Sequence, residues 1–272
     1  MAPRNHRPLA VAATTLVVVV LAASAAAVSL AARPPASSSP AASAGSVPPA
    51  PTGATATAAV DSASISFTPS STSTPAVKSY TVTAYPGGEQ GFGATSPISV
   101  TGLQPDVAYT LSLSAASAAG RGPGSVLPAP ITPLAPAAGV TPPALSDLKA
   151  SLLSFFAASD GGPTSPGPHT GTNLTYIDSA AATSTITVLQ VRSGFKQAGG
   201  CVIANLTTRR KPCTSLLLVG SFTHLDVAGT NRLHFSGRLS AHSLHGGLYQ
   251  IRITPSLNGV PGNTLKKAVD IF

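Results

Sequence analysis

The sequence predicts an all-β protein: two β-sandwich domains after an N-terminal signal or anchor helix. Three observations carry that expectation. Apolar and polar residues alternate with a period of two along many short runs, as in strands with one buried face. Turns rich in Gly and Pro, 25 and 26 residues respectively, separate the runs. Charged residues make up only 9% of the chain, against about a quarter in ordinary domains, so there is little to cover helix surfaces. There is no Trp and a single Met, so Val, Leu, Ile and Phe must fill the cores.

The first 32 residues read as an address. Arg4 and Arg7 precede Pro8 to Ala32, an uncharged tract centred on Leu16-Val-Val-Val-Val-Leu21. A basic start before an apolar run is the form of a secretory signal, and Ala23-Ser24-Ala25 and Ala25-Ala26-Ala27 offer small residues for cleavage. At about 1.5 Å per helical residue the tract is also long enough to span a ~30 Å hydrocarbon core. Cleavage and retention as a membrane anchor both remain open. Either outcome places the rest of the chain outside the cytoplasm, secreted or held at the membrane.

Residues 33–46, rich in Pro, Ala and Ser, form a low-complexity linker. A second Pro-rich break at 134–143 divides the rest of the chain into domains at 47–133 and 144–272, with few contacts expected across it. Charge is uneven over these parts. The whole chain carries +8. The stretch 46–134 holds Asp61, Glu89 and Asp106 against Lys78 and Arg121, whereas from 144 onward eleven Lys and Arg face five Asp. A basic C-terminal half suits anionic polymers, although a solvated surface explains it equally simply.

In the first domain Ile65 and Phe67, then Tyr80, Val82 and Ala84, then Tyr109, Leu111, Leu113 and Ala115 alternate with Ser and Thr. About ninety residues of this pattern suggest a sandwich. Val100-Thr-Gly-Leu103-Gln-Pro105-Asp-Val-Ala-Tyr109 resembles the corner before the sixth strand of a fibronectin type III domain. The opening Val47-Pro-Pro-Ala-Pro-Thr and the tail Ala115 to Ser125 are similar to that family too. The resemblance implies a Tyr109 hydroxyl bonded back to the main chain. Phe67 stands where the family usually has Trp, which implies a lighter core. Gly120-Arg-Gly122-Pro-Gly124 precedes no helix, so it reads as a turn and not as a phosphate-cradling loop.

The second domain has strand candidates at 183–191, 215–223, 232–237, 248–254 and 268–272. Leu145, Leu148, Leu152 and Phe156 recur at helical spacing, which predicts a short helix over 144–157. Cys201 and Cys213 are the sole cysteines, and in an oxidising compartment they should pair. Closing so short a loop is worth about 3 kcal/mol by the chain-entropy model. Ser193 to Cys201, Thr208 to Cys213, Val219 to Phe222, Gly229 to Gly237 and Gly246 to Ile251 form a pattern that resembles an uncharacterised immunoglobulin-like C-terminal module of exported proteins in high-GC bacteria. The resemblance implies location and fold, and no activity.

Catalytic motifs are not apparent. The eight carboxylates are scattered singly, and no nucleophile elbow, P-loop or zincin motif occurs. His224, His234, His242 and His245 lie close in sequence at a spacing that matches no familiar metal site. Arg209, Arg210 and Lys211, between the cysteines, are candidate contacts for an anionic ligand; a solvated hairpin tip is the blander account. No cofactor or metal is expected. The sequence therefore points to a non-catalytic exported surface protein with a structural, adhesion or spacer role. A carbohydrate- or wall-polymer-binding module is the alternative, weakened by the missing Trp; an accessory part of an extracellular hydrolase system is the third reading. Expected partners are wall polysaccharide or another surface protein, with the membrane engaged through the N-terminal helix if uncleaved, and no nucleic acid.

Overall fold

The alternation maps onto strands in a computed structural model of the chain, which describes residues 45–272 apart from 71, 72, 74, 168, 204–209, 240 and 241. The signal or anchor helix lies outside the described residues, as do all but the last two positions of the linker at 33–46. No helix among the described residues is long and apolar enough to cross a membrane.

The first domain holds β1 (Thr52–Ala59), β2 (Ser62–Thr68), β3 (Val77–Tyr85), β4 (Gln90–Gly93), β5 (Ile98–Thr101), β6 (Thr110–Ser117), β7 (Gly120–Arg121) and β8 (Ser125–Val126). One antiparallel sheet runs β1-β2-β5, and the facing one runs β4-β3-β6 with β7 and β8 on the far edge of β6. Ala63, Ile65 and Phe67 point inward from β2, Tyr80, Val82 and Ala84 from β3, and Leu111, Leu113 and Ala115 from β6. Phe67 packs on Tyr80 with ring centroids 4.7 Å apart. An aromatic pair thus occupies the centre of a core without Trp.

The second domain is built from β9 (Leu145–Ala150), β10 (Ser154–Phe155), β11 (Thr172–Asp178), β12 (Thr183–Gln197), β13 (Gly200–Val202), β14 (Pro212–Leu225), β15 (Gly229–Phe235), β16 (Arg238–Leu239), β17 (His242–Ser243), β18 (Gly247–Leu257), β19 (Val260–Pro261) and β20 (Leu265–Ile271). Its sheets are β9-β11-β15 and β10-β20-β18-β12-β14. Between them lies a separate core that includes Leu174, Tyr176, Ile186, Val188, Phe235, Tyr249, Ile251 and Ile271. The five strand candidates are all present, several of them longer than the alternation shows.

The expected helix over 144–157 is absent: β9 and β10 take its place. Edge pairing with β11 carries a register shift between Thr175 and Ile177, and Asp147 adopts φ 57°. Those irregularities break the two-residue period, so the apolar positions fall at a spacing that mimics a helix. Leu145 is buried, but Leu152 and Phe156 are exposed.

The connector at 134–143 does not separate the domains as its composition suggests. The described residues from 45 onward pack as one unit. Strand β12 outruns its partner β18, whose pairing ends at Gln190 opposite Tyr249, while pairing with β14 continues to Phe195 opposite Pro212. The overhang is a two-stranded arm that reaches past the second sandwich. The short β13 folds back on it and pairs through its other edge with β7, so one sheet runs through both domains.

Candidate functional site

Cys201 on β13 and Cys213 on β14 form a disulfide. They flank β12, where Gly194 lies opposite Cys213. A β-carbon on Gly194 would overlap the Val202 carbonyl, so the bare backbone there lets β13 cross the face of the arm. The bridge fixes the segment that meets the first domain. At that junction Cys201 pairs with Arg121 and Val202 with Gly120. Ile203 N donates to Ala119 O at 2.8 Å, and Arg192 Nη1 donates to Ala118 O at 2.9 Å. The Gly-Arg-Gly stretch read as a turn is thus also half of an interdomain β-pair.

The outer face of the first domain's larger sheet is covered as well. Ser79, Thr81 and Ser114 occupy positions that alternation assigns to solvent, yet all three are buried. Leu218 N on β14 donates to Ser79 Oγ at 3.3 Å.

Of the basic candidates, Arg209 lies outside the described residues. Arg210 and Lys211 are exposed. Arg210 folds onto its own arm: Nη1 donates to Gln197 Oε1 at 2.6 Å, and the guanidinium lies 4.6 Å from the Phe195 ring centroid. The Lys211 carbonyl accepts from Lys196 N at 2.8 Å.

The histidines do not converge. His224 Nδ1 lies 2.6 Å from Asp226 Oδ1, His234 Nδ1 lies 3.1 Å from Asn173 Oδ1, and His242 is exposed on β17. Among the described residues no three His, Cys, Asp or Glu side chains gather as a metal would require. His224 borders a buried network centred on Asp226, which accepts from Tyr176 Oη at 2.7 Å and Ser184 Oγ at 2.6 Å. Because Ser184 donates to the carboxylate and not to the imidazole, the group lacks the nucleophile–base contact of a hydrolytic triad. Burial, reinforced by Asp226, pushes the Tyr176 hydroxyl well above the usual phenol range. Asp178 is buried too; desolvation foremost, and then nearness to Asp226, raise its carboxyl above the ordinary range.

The most distinctive chemistry lies between the domains. Arg252 sits on the outward face of β18, where alternation predicts exposure, but it is only 5% exposed because β4 covers it. Its Nε donates to Gln250 Oε1 at 2.8 Å, its Nη2 to Gln90 Oε1 at 2.8 Å, and its guanidinium lies 4.4 Å from the Phe92 centroid. Desolvation lowers its pKa to about 10. The side chain lines a cleft of about 330 Å³ between β4 and β5 on one side and β12 and β18 on the other. A smaller adjoining hollow adds Glu89 and Lys266. Lys266 titrates below its normal range, through desolvation first and the Arg252 charge second, with Glu89 opposing. Sequence pattern shows Arg252 only as a polar position on an alternating strand; nothing local in it reveals the neighbour that buries it.

The sandwich of the first domain carries the corner its sequence suggests. Tyr109 Oη accepts a hydrogen bond from Gln104 N at 3.0 Å, with Asp106 at φ 61° between them. Residues 49–129 match the family model of the Fibronectin type III domain. That segment is a fibronectin type III domain. The second domain is the all-β sandwich its own pattern implied. Among solved structures, the FN1–FN3 domains of chicken CNTN1 are similar at 13% identity, covering 84% of this chain and 69% of that one, with a TM-score of 0.28. Chitinase ChiA74 from Bacillus thuringiensis is similar at 16% identity over 83% of this chain and 29% of its own, TM-score 0.28. A two-domain fibronectin type III segment of chicken tenascin aligns at 11% identity over 81% of this chain and 98% of its own, TM-score 0.25. No curated protein matches the chain.

Proposed function

We propose that the protein is a non-catalytic exported surface protein, in which a tether carries a stiff two-domain unit with a structural, spacer or adhesion role. The observation that carries this reading is the arm of the second domain. It runs the sheet of the fibronectin type III domain on through β7 and β13, and a disulfide staples it at the junction. A spacer needs domains that hold a fixed relation, and a backbone ladder with a crosslink supplies one. The disulfide suits an oxidising compartment, the basic apolar N-terminus suits export, and fibronectin type III domains serve widely as structural modules.

The test is topological. The full chain, tagged after Phe272, is expressed in a bacterial host, and intact cells are treated with protease before fractionation. The tag is expected to be lost from intact cells, or found in the medium, with Cys201 and Cys213 oxidised. A protease-resistant, fully reduced protein in the cytosol would overturn the reading.

A further inference from the structure

Arg252 is a buried cation with no carboxylate of the described residues within ion-pair distance, although Glu89 lines an adjoining hollow. The one ion pair among the described residues joins His224 and Asp226, remote from it in the hydrogen-bond pattern. Gln250 and Gln90 fix Nε and Nη2, and Phe92 covers one face of the guanidinium. Nη1 is served poorly: its only contact, to Gln90 O, is stretched to 3.5 Å. A buried charge without a direct ion-pair partner is costly, and perturbed ionisable groups of this kind concentrate at binding sites. The surrounding walls are rich in hydroxyls, with Thr185 and Thr187 from β12, Thr254 and Ser256 from β18, and Thr101 from β5. A cleft of about 330 Å³ between domains falls within the ordinary range for small-ligand sites.

We infer that this interdomain cleft binds a small polyhydroxylated carboxylate, a uronic acid or a comparable carboxylated sugar unit, with Arg252 facing the carboxylate. The planar guanidinium matches a carboxylate's geometry, and the threonine and serine hydroxyls match a sugar's. The charged groups lining the cleft and the adjoining hollow, Arg252, Lys266 and Glu89, sum to one net positive charge, which suits a monoanion. The aromatic ring of the cleft, Phe92, is already covered by Arg252, so sugar stacking is not available. Recognition runs through hydrogen bonds and one charge, which removes the objection raised by the absence of Trp. The site exists only while both domains are docked, since Gln90 and Phe92 belong to one and Arg252 to the other. This inference goes beyond the spacer reading and does not depend on it, because binding is measured on the protein in solution.

The experiment is calorimetric and NMR titration of the full chain with galacturonate, glucose and inorganic phosphate at matched ionic strength. Galacturonate is expected to bind saturably and at least tenfold more tightly than glucose or phosphate. R252Q should weaken it at least tenfold. Because R252Q also touches the domain contact, T185E provides an independent arm: Thr185 is exposed on the cleft wall, so the fold should persist while the added carboxylate weakens binding several-fold. Absence of saturable galacturonate binding overturns the inference. So does equal binding of glucose or phosphate, or unchanged affinity in T185E.

Discussion

Gly120 of the fibronectin type III domain meets the main chain of Cys201 so closely that a β-carbon built on it would overlap the Cys201 carbonyl oxygen. Its φ is 133°, a value side-chain-bearing residues rarely adopt. Gly200, across the same junction, crowds the Arg121 carbonyl in the same way. Two glycines thus let two backbones approach to sheet distance. G120V should cost about 1–3 kcal/mol from the backbone conformation alone, with the overlap adding to it. Calorimetry of the intact chain should show one transition in the native protein and two, or one broadened, in G120V. An unchanged single transition would mean that this β-pair does not couple the domains.

The disulfide holds the arm in place. It ties β13, the strand that meets the first domain, to β14, so the crosslink supplies much of the restraint on that junction. Replacing both, C201A with C213A, should cost roughly 2–4 kcal/mol. The β signal should persist, because the cores of both sandwiches lie away from the bridge. A double variant that melts at the native temperature, or free thiols in the unreduced native protein, would refute this.

The two cores share no residue. Fragments 47–133 and 144–272 should therefore each unfold cooperatively, at lower temperature than the intact chain. Separation would expose Ser79, Thr81, Ser114 and Leu217, which are now buried. A fragment lacking cooperative unfolding would show that its boundary cuts into a core.

Alternation makes the inner faces legible: Ile65, Val82, Leu113, Tyr249 and Ile251 all point where a period of two sends them. It fails where a neighbour distant in sequence decides the outcome. Ser79 and Arg252 look like solvent-facing positions, and only the docking of one domain on the other buries them. Strand β11 escapes the pattern because polar Thr172 and Asp178 face inward while Ile177 faces outward, and β9 mimics a helix through its bulge. The glycines at 120 and 199–200 are visible as turn residues. Their second role, a close approach between domains, needs both partners in view.

Tyr176 is fully buried, and its hydroxyl donates to Asp226 at 2.7 Å while lying 3.2 Å from His224 Nδ1. Y176F keeps the ring and its packing but removes one of the donors that Asp226 accepts from within the core. Leaving a buried acceptor short of a partner costs about 1–3 kcal/mol. Chemical denaturation should show that loss without a change in slope, since the surface exposed on unfolding stays the same. A Y176F protein as stable as the native one would mean that the hydroxyl is incidental.

Asp178 ties stability to pH. Its Oδ1 accepts from Ala180 N at 3.1 Å, whereas its Oδ2 is buried without a partner. Burial raises its carboxyl above the ordinary value, so the folded chain holds this proton more tightly than the unfolded one. The stability it contributes is fully present below the unfolded value of about 4. It is lost as pH rises through the folded value, where a charge must form in a dry site beside Asp226. D178N keeps the acceptor for Ala180 N and places a neutral amide beside Asp226. Denaturation from pH 4 to pH 7 should therefore show a smaller decline in D178N than in the native protein, and a variant at least as stable at pH 7. If D178N reproduced the native pH dependence and were less stable at pH 7, the buried carboxyl would be a net support of the fold and not the burden its surroundings imply.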